Sequence, residues 1–397
     1  MYNSNKYLII FFLIFLISSN LNASMSDTQE VQGFSNATIY TPKQHKTELK
    51  KVIEVLQEEV QKRSGIVWPV SKKINKKSQP QIIIAFEDDR NNLPEAWKNE
   101  INQLEEIGSE GYQITVLSDV NKVIIIANDK RGALYGVGKL LRKMAIKKGE
   151  VLIPKEMQIS STPKYQIRGH QLGYRPKTNS YDAWSIAQFD QYIRELAIFG
   201  ANSIEIMPPG TDDDFTSRHM QIPAIEMIVA QSTICDAYDL DVWMWYPNIG
   251  SDFAHPDSIQ KELEERHEVF SKLKRLDHVF VPGGDPGHLE PDVLFNWLIK
   301  MSSVLHQSHP NAKIWVSPQL SRPSKEWVDK FFIHINKKYE WLGGVVFGPW
   351  VKTPLEEIRK IVDADIPIRR YPDITHTMSS QYPIPKWDLA FNNTLGR

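Results

Sequence analysis

At 397 residues the chain exceeds one ordinary domain and fits two modest domains, or a small domain plus most of an α/β barrel. With 41% hydrophobic residues, 24% charged residues and 11 tryptophans it can bury a full core, which excludes disordered, collagen-like and coiled-coil chains. Lys and Arg total 47 against 48 Asp and Glu, a net charge of -1, so there is no global field to hold a polyanion and no nucleic-acid partner is expected. The single cysteine, Cys235, rules out an internal disulfide framework and any multi-cysteine metal site.

The N-terminus carries Lys6, the apolar run Leu8 to Ile17, then Ser18, Ser19, Asn20 and the small-residue exit Leu21-Asn22-Ala23. This pattern predicts a secretory signal over residues 1–23, with the mature chain starting near Ser24. The run is shorter than the roughly 20 residues of a membrane span, and an uncleaved anchor is the alternative. No cysteine follows to take a lipid, so the expected address is periplasmic or extracellular, with no stable membrane insertion after cleavage.

Residues 24–163 read as a small α+β domain. Ala37 to Tyr40 is β-like; Lys46 to Arg63 has apolar residues at Leu49, Val52, Ile53, Leu56 and Val60, the spacing of an amphipathic helix. Gln81 to Phe86, Tyr112 to Leu117 and Lys122 to Ala127 read as strands, and Gly132 to Met144 as a helix. The order is roughly β-α-β-β-β-α, a sandwich with one sheet face covered by helices. Lys50, Lys51, Lys72, Lys73, Lys76 and Lys77 read as solvated faces. Gly136-Val-Gly-Lys139 is neither a dinucleotide fingerprint nor a P-loop, because the third glycine and the Ser/Thr after the lysine are missing.

From residue 164 to 397 short apolar strands alternate with helical stretches, as βα units do. The strands are Gln166 to His170, Ser203 to Met207, Asp241 to Tyr246, His278 to Pro282, Lys313 to Ser317, Gly344 to Phe347 and Ile366 to Tyr371. The fold class is therefore α/β: a small α+β domain followed by a (β/α)8-type barrel that is incomplete, with seven strands. An open doubly wound sheet is the alternative. Asp388 to Arg397 reads as a loop or short helix rather than an eighth strand, so the sequence is expected to be the front portion of a longer protein.

In a barrel the residues beyond each strand converge on one mouth. Here they include His170, Gln171 and Arg175; Asp213 and Asp214; Trp245 and Asn248; Asp285 and His288; Trp350; and Arg370, Tyr371, Asp373 and His376. Sugars present apolar C–H faces and many hydroxyls, which aromatic platforms and carboxylates match. Glycoside hydrolysis adds two carboxyl groups, one protonated and one ionised. Asp285, Glu205 and Asp373 are the catalytic candidates; Asp213, Trp245, His288, Trp350, Tyr371 and His376 are substrate-binding candidates. Asp213 and Asp214 read equally as caps. Glu205 lies inside an apolar strand, where it either faces a polar barrel centre or pairs with a cation such as Arg168. Asp285 follows two glycines that let a ligand approach the backbone. The scattered histidines give no metal-ligand spacing, no G-x-S-x-G elbow is present, and no cofactor is expected.

The segment Val123-Ile-Ile-Ile-Ala-Asn-Asp-Lys-Arg-Gly-Ala-Leu-Tyr-Gly-Val-Gly-Lys-Leu-Leu141 resembles the end of the small domain preceding the barrel in family 20 β-hexosaminidases, α-glucuronidases and related glycoside hydrolases. Arg168-Gly169, Asn202-Ser-Ile-Glu-Ile206 and His278-Val-Phe-Val-Pro-Gly-Gly-Asp285 resemble the first, second and fourth hexosaminidase strands, and Asn202 to Asp213 is similar to substrate-assisted O-GlcNAcase-type barrels. The resemblance implies a secreted glycoside hydrolase with a carbohydrate substrate. In the hexosaminidases a Glu acid follows the Gly-Gly-Asp, whose Asp orients the substrate acetamido group; here Pro286 stands in the Glu's place and cannot donate a proton. Gly173 replaces an expected Asp, leaving Arg175 as an approximate match for the family's sugar-binding Arg. Either another carboxylate supplies the acid, with Glu205 or Asp373 preferred, or the chain binds sugar without cleaving it.

Overall fold

A strand buried on both faces must be covered on both sides, and three strands of this kind organise the N-terminal domain. The computed structural model describes residues 30–75, 77–101, 107–172, 184–210, 221–249, 252–284, 287–348 and 350–370, so the signal segment lies outside the described residues. The elements run β1 (Val31–Gly33), β2 (Thr38–Tyr40), α1 (Lys50–Ser64), β3 (Gln81–Phe86), α2 (Glu95–Ile101), β4 (Tyr112–Leu117), β5 (Lys122–Ala127), α3 (Lys130–Lys143), β6 (Ala145–Lys147), β7 (Glu150–Pro154) and β8 (Gln158–Ser161). β3, β5 and β4 are buried throughout and lie side by side in a five-stranded sheet of order β2-β3-β5-β4-β8, with β2, β3 and β5 parallel and β4 antiparallel to β5.

Alternate residues of these strands face different cores. Ile82, Ile84, Val123 and Ile125 join the main core under α1 and α3, whereas Ile83, Ile124 and Ile126 pack with Trp97 and Ile101 of α2. Both faces are thus covered, not one as the sequence pattern suggests. The second cover is a seven-residue helix, too short to show a period. β1, β7 and β6 add a separate antiparallel sheet.

The glycines of α3 are explained by close approach. A Cβ at Gly136 would stand 2.7 Å from Ile125, and one at Gly138 only 2.3 Å from the Ile198 carbonyl oxygen of the second domain. Asp129 caps the helix by accepting from the Gly132 amide at 2.9 Å.

The second domain continues β9 (Gly169–Gln171), α4 (Ile186–Ile198), β10 (Ser203–Ile206), α5 (Ala224–Ala237), β11 (Asp241–Trp245), α6 (Pro256–Lys272), β12 (His278–Pro282), α7 (Pro291–Ser308), β13 (Lys313–Ser317), α8 (Lys325–Ile335), β14 (Leu342–Phe347), α9 (Leu355–Ile361) and β15 (Ile368–Arg370). Among the described residues seven strands form one parallel sheet in sequential order, and β9 and β15 are its edges. β10 and β15 stand five strands apart, which in a flat sheet would separate them by about 24 Å. Arg369 of β15 nevertheless reaches Glu205 of β10 at 2.5 Å, so the sheet is curled into a barrel wall.

The two domains meet at the N-terminal ends of the barrel strands. Glu110 accepts from Arg131 at 3.0 Å and Asn202 at 3.1 Å, and pairs with Arg168. Arg131 extends to Asp241 at 2.5 Å, and Arg275 joins Asp241 at 2.7 Å, Asp239 at 2.9 Å and Asp277 at 2.7 Å. Arg168, the cation expected beside Glu205, is committed to this lower face. Burial alone would raise the Glu110 carboxyl, but bonds from Arg168, Asn202 and Arg131 outweigh it and hold the group below the usual range. The network's contribution is therefore present at neutral pH and lost as pH falls through that lowered value.

Replacing Glu110 with Ala takes the carboxylate from partly buried Arg168, while Arg131 keeps Asp241, and is expected to cost about 3 kcal/mol in urea unfolding. Gly138→Ala forces a methyl against backbone and is expected to cost about 1–3 kcal/mol in the same measurement.

Candidate active site

Period-two alternation decides what each barrel strand offers. In β12, Val279 and Val281 belong to the wall, while His278 and Phe280 share the opposite face; in β13, Ile314 and Val316 alternate likewise with Trp315. Trp243 of β11 lies 4.2 Å from the His278 ring and 5.0 Å from the Trp315 ring, so these faces meet inside the barrel. Gly343 leaves room for Trp315, since a Cβ there would come within 2.2 Å of the indole nitrogen.

Glu205 enters this interior from β10, its side chain 1% exposed. Gln171 donates to its Oε1 at 2.7 Å, and Arg369 makes an ion pair with Oε2 at 2.5 Å whose angle falls outside hydrogen-bond geometry. The Arg369 guanidinium also lies 4.1 Å from the Trp243 ring centroid and 5.8 Å from that of Phe280. Glu205 therefore faces the barrel centre, and its cation is Arg369. Neighbouring Arg370, noted from the sequence at the strand end, lies over Phe347 at 5.9 Å instead.

His278 accepts a hydrogen bond from Trp315 Nε1 at its Nδ1, 3.1 Å, which places the ring proton on Nε2. Burial, helped by Arg369 and Arg275 against Asp241 and Asp277, pushes its pKa down to about 4. His170, inferred from sequence to sit at the mouth, bonds the Tyr192 hydroxyl of α4 at 2.9 Å, behind the sheet.

At the strand ends, Trp245 closes β11 and is 6% exposed, as much core as platform. His288 is exposed, with φ 50°, and its amide donates to the Gly284 carbonyl at 2.8 Å. Trp350 is 49% exposed, with Lys352 Nζ 5.1 Å from its ring centroid. Gly283 and Gly284 donate to the carbonyls of Ser317 at 2.8 Å and Gln319 at 3.0 Å, which anchors the end of β12. Asp285, Asp373, Arg175, Asp213, Tyr371 and His376 lie outside the described residues. Arg369, His278 and Trp315 are not among the residues singled out from sequence; adjacent strands put Trp315 beside His278, and only the curled sheet brings Arg369 across to Trp243. Among the described residues no group of three or more His, Cys, Asp or Glu is arranged to hold a metal, and no helix is long and apolar enough to cross a membrane.

Residues 23–140 match the model of the glycosyl hydrolase family 67 N-terminus. Among solved structures the chain is similar to CpGH84B, with a TM-score of 0.57 and 14% identity over 84% of this chain and 57% of that one. It is also similar to the GH20 exo β-N-acetylglucosaminidase from Vibrio harveyi in complex with N-acetylglucosamine, with a TM-score of 0.51 and 11% identity over 81% of this chain and 59% of that one. The GH20 β-N-acetylhexosaminidase from Streptomyces coelicolor A3(2) gives a TM-score of 0.51 and 12% identity, over 81% and 73% of the two chains. The chain spans less than two thirds of the length of the first two. No curated protein matches it by sequence. The architecture is that of glycoside hydrolases with an N-terminal domain and a barrel.

Acid should probe the barrel interior. The unfolded His278 binds its proton near its ordinary pKa of 6.5 and the folded one near 4, so stability is full above 6.5 and falls as pH drops between those values. The loss is roughly 2 kcal/mol, discounted for the ring's residual solvent contact. His278→Gln is expected to flatten this part of the profile in denaturant unfolding across pH. Glu205→Ala, which leaves Arg369 without its carboxylate, is expected to cost about 3–5 kcal/mol at pH 7.

Proposed function

We propose that the protein is a secreted glycoside hydrolase acting on O-glycosidic bonds of a glycan or oligosaccharide, hexosaminidase-like or α-glucuronidase-like, with its site at the C-terminal ends of the barrel strands. The observation that carries the reading is the union in one chain of a family 67 N-terminal match with a curled parallel sheet of glycosidase architecture. The predicted signal over residues 1–23 supports a periplasmic or extracellular address.

Among the three candidate carboxylates, Asp285 takes the central catalytic role. It follows directly on the Gly283-Gly284 end of β12, where the missing side chains let β12 pack against Ser317, Leu320 and Trp327 rather than against a ligand, and which lies at the strand ends where parallel barrels carry their sites. Glu205, held by Gln171 and Arg369, sets the charge beneath the site, and Asp373 is the candidate general acid. Arg175, Asp213, Trp245, His288, Trp350, Tyr371 and His376 are proposed to contact the sugar. A second reading, sugar binding without cleavage, is favoured by Pro286, which occupies the place of the family's acid.

Turnover of at least one member of a panel of aryl glycosides by the full chain is expected, and failure on every member would sink the hydrolase reading. Asp285→Asn is expected to lower kcat about a hundred- to ten-thousandfold with an unchanged melting temperature. A fall in melting temperature alone would mean a structural role. Tight oligosaccharide binding in calorimetry, without product, would select the second reading.

A further inference from the structure

Two buried polar side chains flank the end of β12 with hydrogen-bonding capacity to spare. Asn248, just past β11, is 1% exposed. Trp297 of α7 donates its indole N–H to Asn248 Oδ1 at 2.9 Å, and an indole can only donate, so the amide orientation is fixed. The Nδ2 group is left with no acceptor among the described residues. Trp297 is itself immobilised, with Phe253 4.9 Å away and the Arg266 guanidinium 4.9 Å from its ring, packed also against Tyr246 at 4.3 Å.

On the other side, Ser317 closes β13 in register with Pro282 and is fully buried. Its carbonyl holds the Gly283 amide, while its hydroxyl has no partner among the described residues. Asn248 belongs to the same place: a Cβ on Gly287 would stand 2.6 Å from the Asn248 carbonyl oxygen. An amide and a hydroxyl buried without partners are costly, and here they sit at strand ends, where parallel barrels take their ligands.

We propose that Asn248 Nδ2 and Ser317 Oγ are a pair of preset contacts for the oxygen atoms of a bound sugar, beside the end of β12. This inference rests on the carbohydrate reading above and names two residues that determine affinity in that site. The amide offers hydrogens to hydroxyl or ring oxygens. The serine hydroxyl both donates and accepts, as a sugar hydroxyl does.

The test is titration of the full chain with free N-acetylglucosamine, glucuronate and galactose, read by tryptophan fluorescence and calorimetry. At least one is expected to bind the unaltered protein saturably, and Ser317→Ala and Asn248→Asp each to weaken that binding tenfold or more. Ser317→Ala has no hydrogen bond to lose, so its melting temperature should hold. Should Asn248→Asp fail to fold, Ser317→Ala carries the test alone. Unchanged Kd in the folded variants, or no binding of any of the three sugars, overturns the inference. Turnover of an aryl glycoside with unchanged KM in Ser317→Ala overturns it while leaving the hydrolase reading intact. Weakened sugar binding in a protein that turns over no glycoside supports it and removes the hydrolase reading.

Discussion

A carboxylate in the middle of a barrel has to find a cation, and Glu205 finds Arg369 across the interior, five strands away along the sheet. Burying either charge alone is costly, whereas together, with Gln171 on one side and the Trp243 and Phe280 rings on the other, they form a compensated centre. That pairing requires the sheet to curl. Neighbouring strands already set Trp243, His278 and Trp315 against one another at tilted and edge-on angles; curling adds Arg369 above Trp243 and gathers the strand ends into a single mouth. A charge-balanced aromatic floor lies beneath that mouth.

The opposite end of the barrel is fixed by different means. Glu110, Arg131, Arg168, Asp241 and Arg275 form a continuous set of ion pairs between the N-terminal domain and the lower strand ends, while Gly138 lets α3 touch the end of α4. One hydrophobic core runs from Phe34 of the first domain to Val362 of the second. The N-terminal domain is thus a base plate. Conserving rigidity at the lower end leaves loop variation to the upper end, the division of labour expected of parallel barrels.

Much of this was legible in the residues. The strands Gln81–Phe86, Tyr112–Leu117, Lys122–Ala127, His278–Pro282 and Lys313–Ser317 follow from apolar runs bounded by turn residues, and the structure places them at those bounds. The helix Glu95–Ile101 and the small sheet of β1, β6 and β7 were not, because a seven-residue helix spans too few turns to show a period and these strands are partly exposed, with no unbroken apolar run. In the site, Glu205 was identified as a buried charge in need of a partner, but Arg168 was the nearer cation in sequence. Choosing between Arg168 and Arg369 depends on which strand end each occupies. His170 was misplaced because it lies within β9, where neighbouring residues face opposite sides: Gln171 turns inward to Glu205 and His170 outward to Tyr192.

The sequence by itself determined the class of the fold and the order of its two domains, because both follow from local period and local chemistry. Only the tertiary structure decided which charges pair, which face of α3 meets the barrel, and that Asn248 and Ser317 flank one strand end. Those are relations between residues tens of positions apart, set by sheet curvature and register, and no local pattern encodes the distance between them.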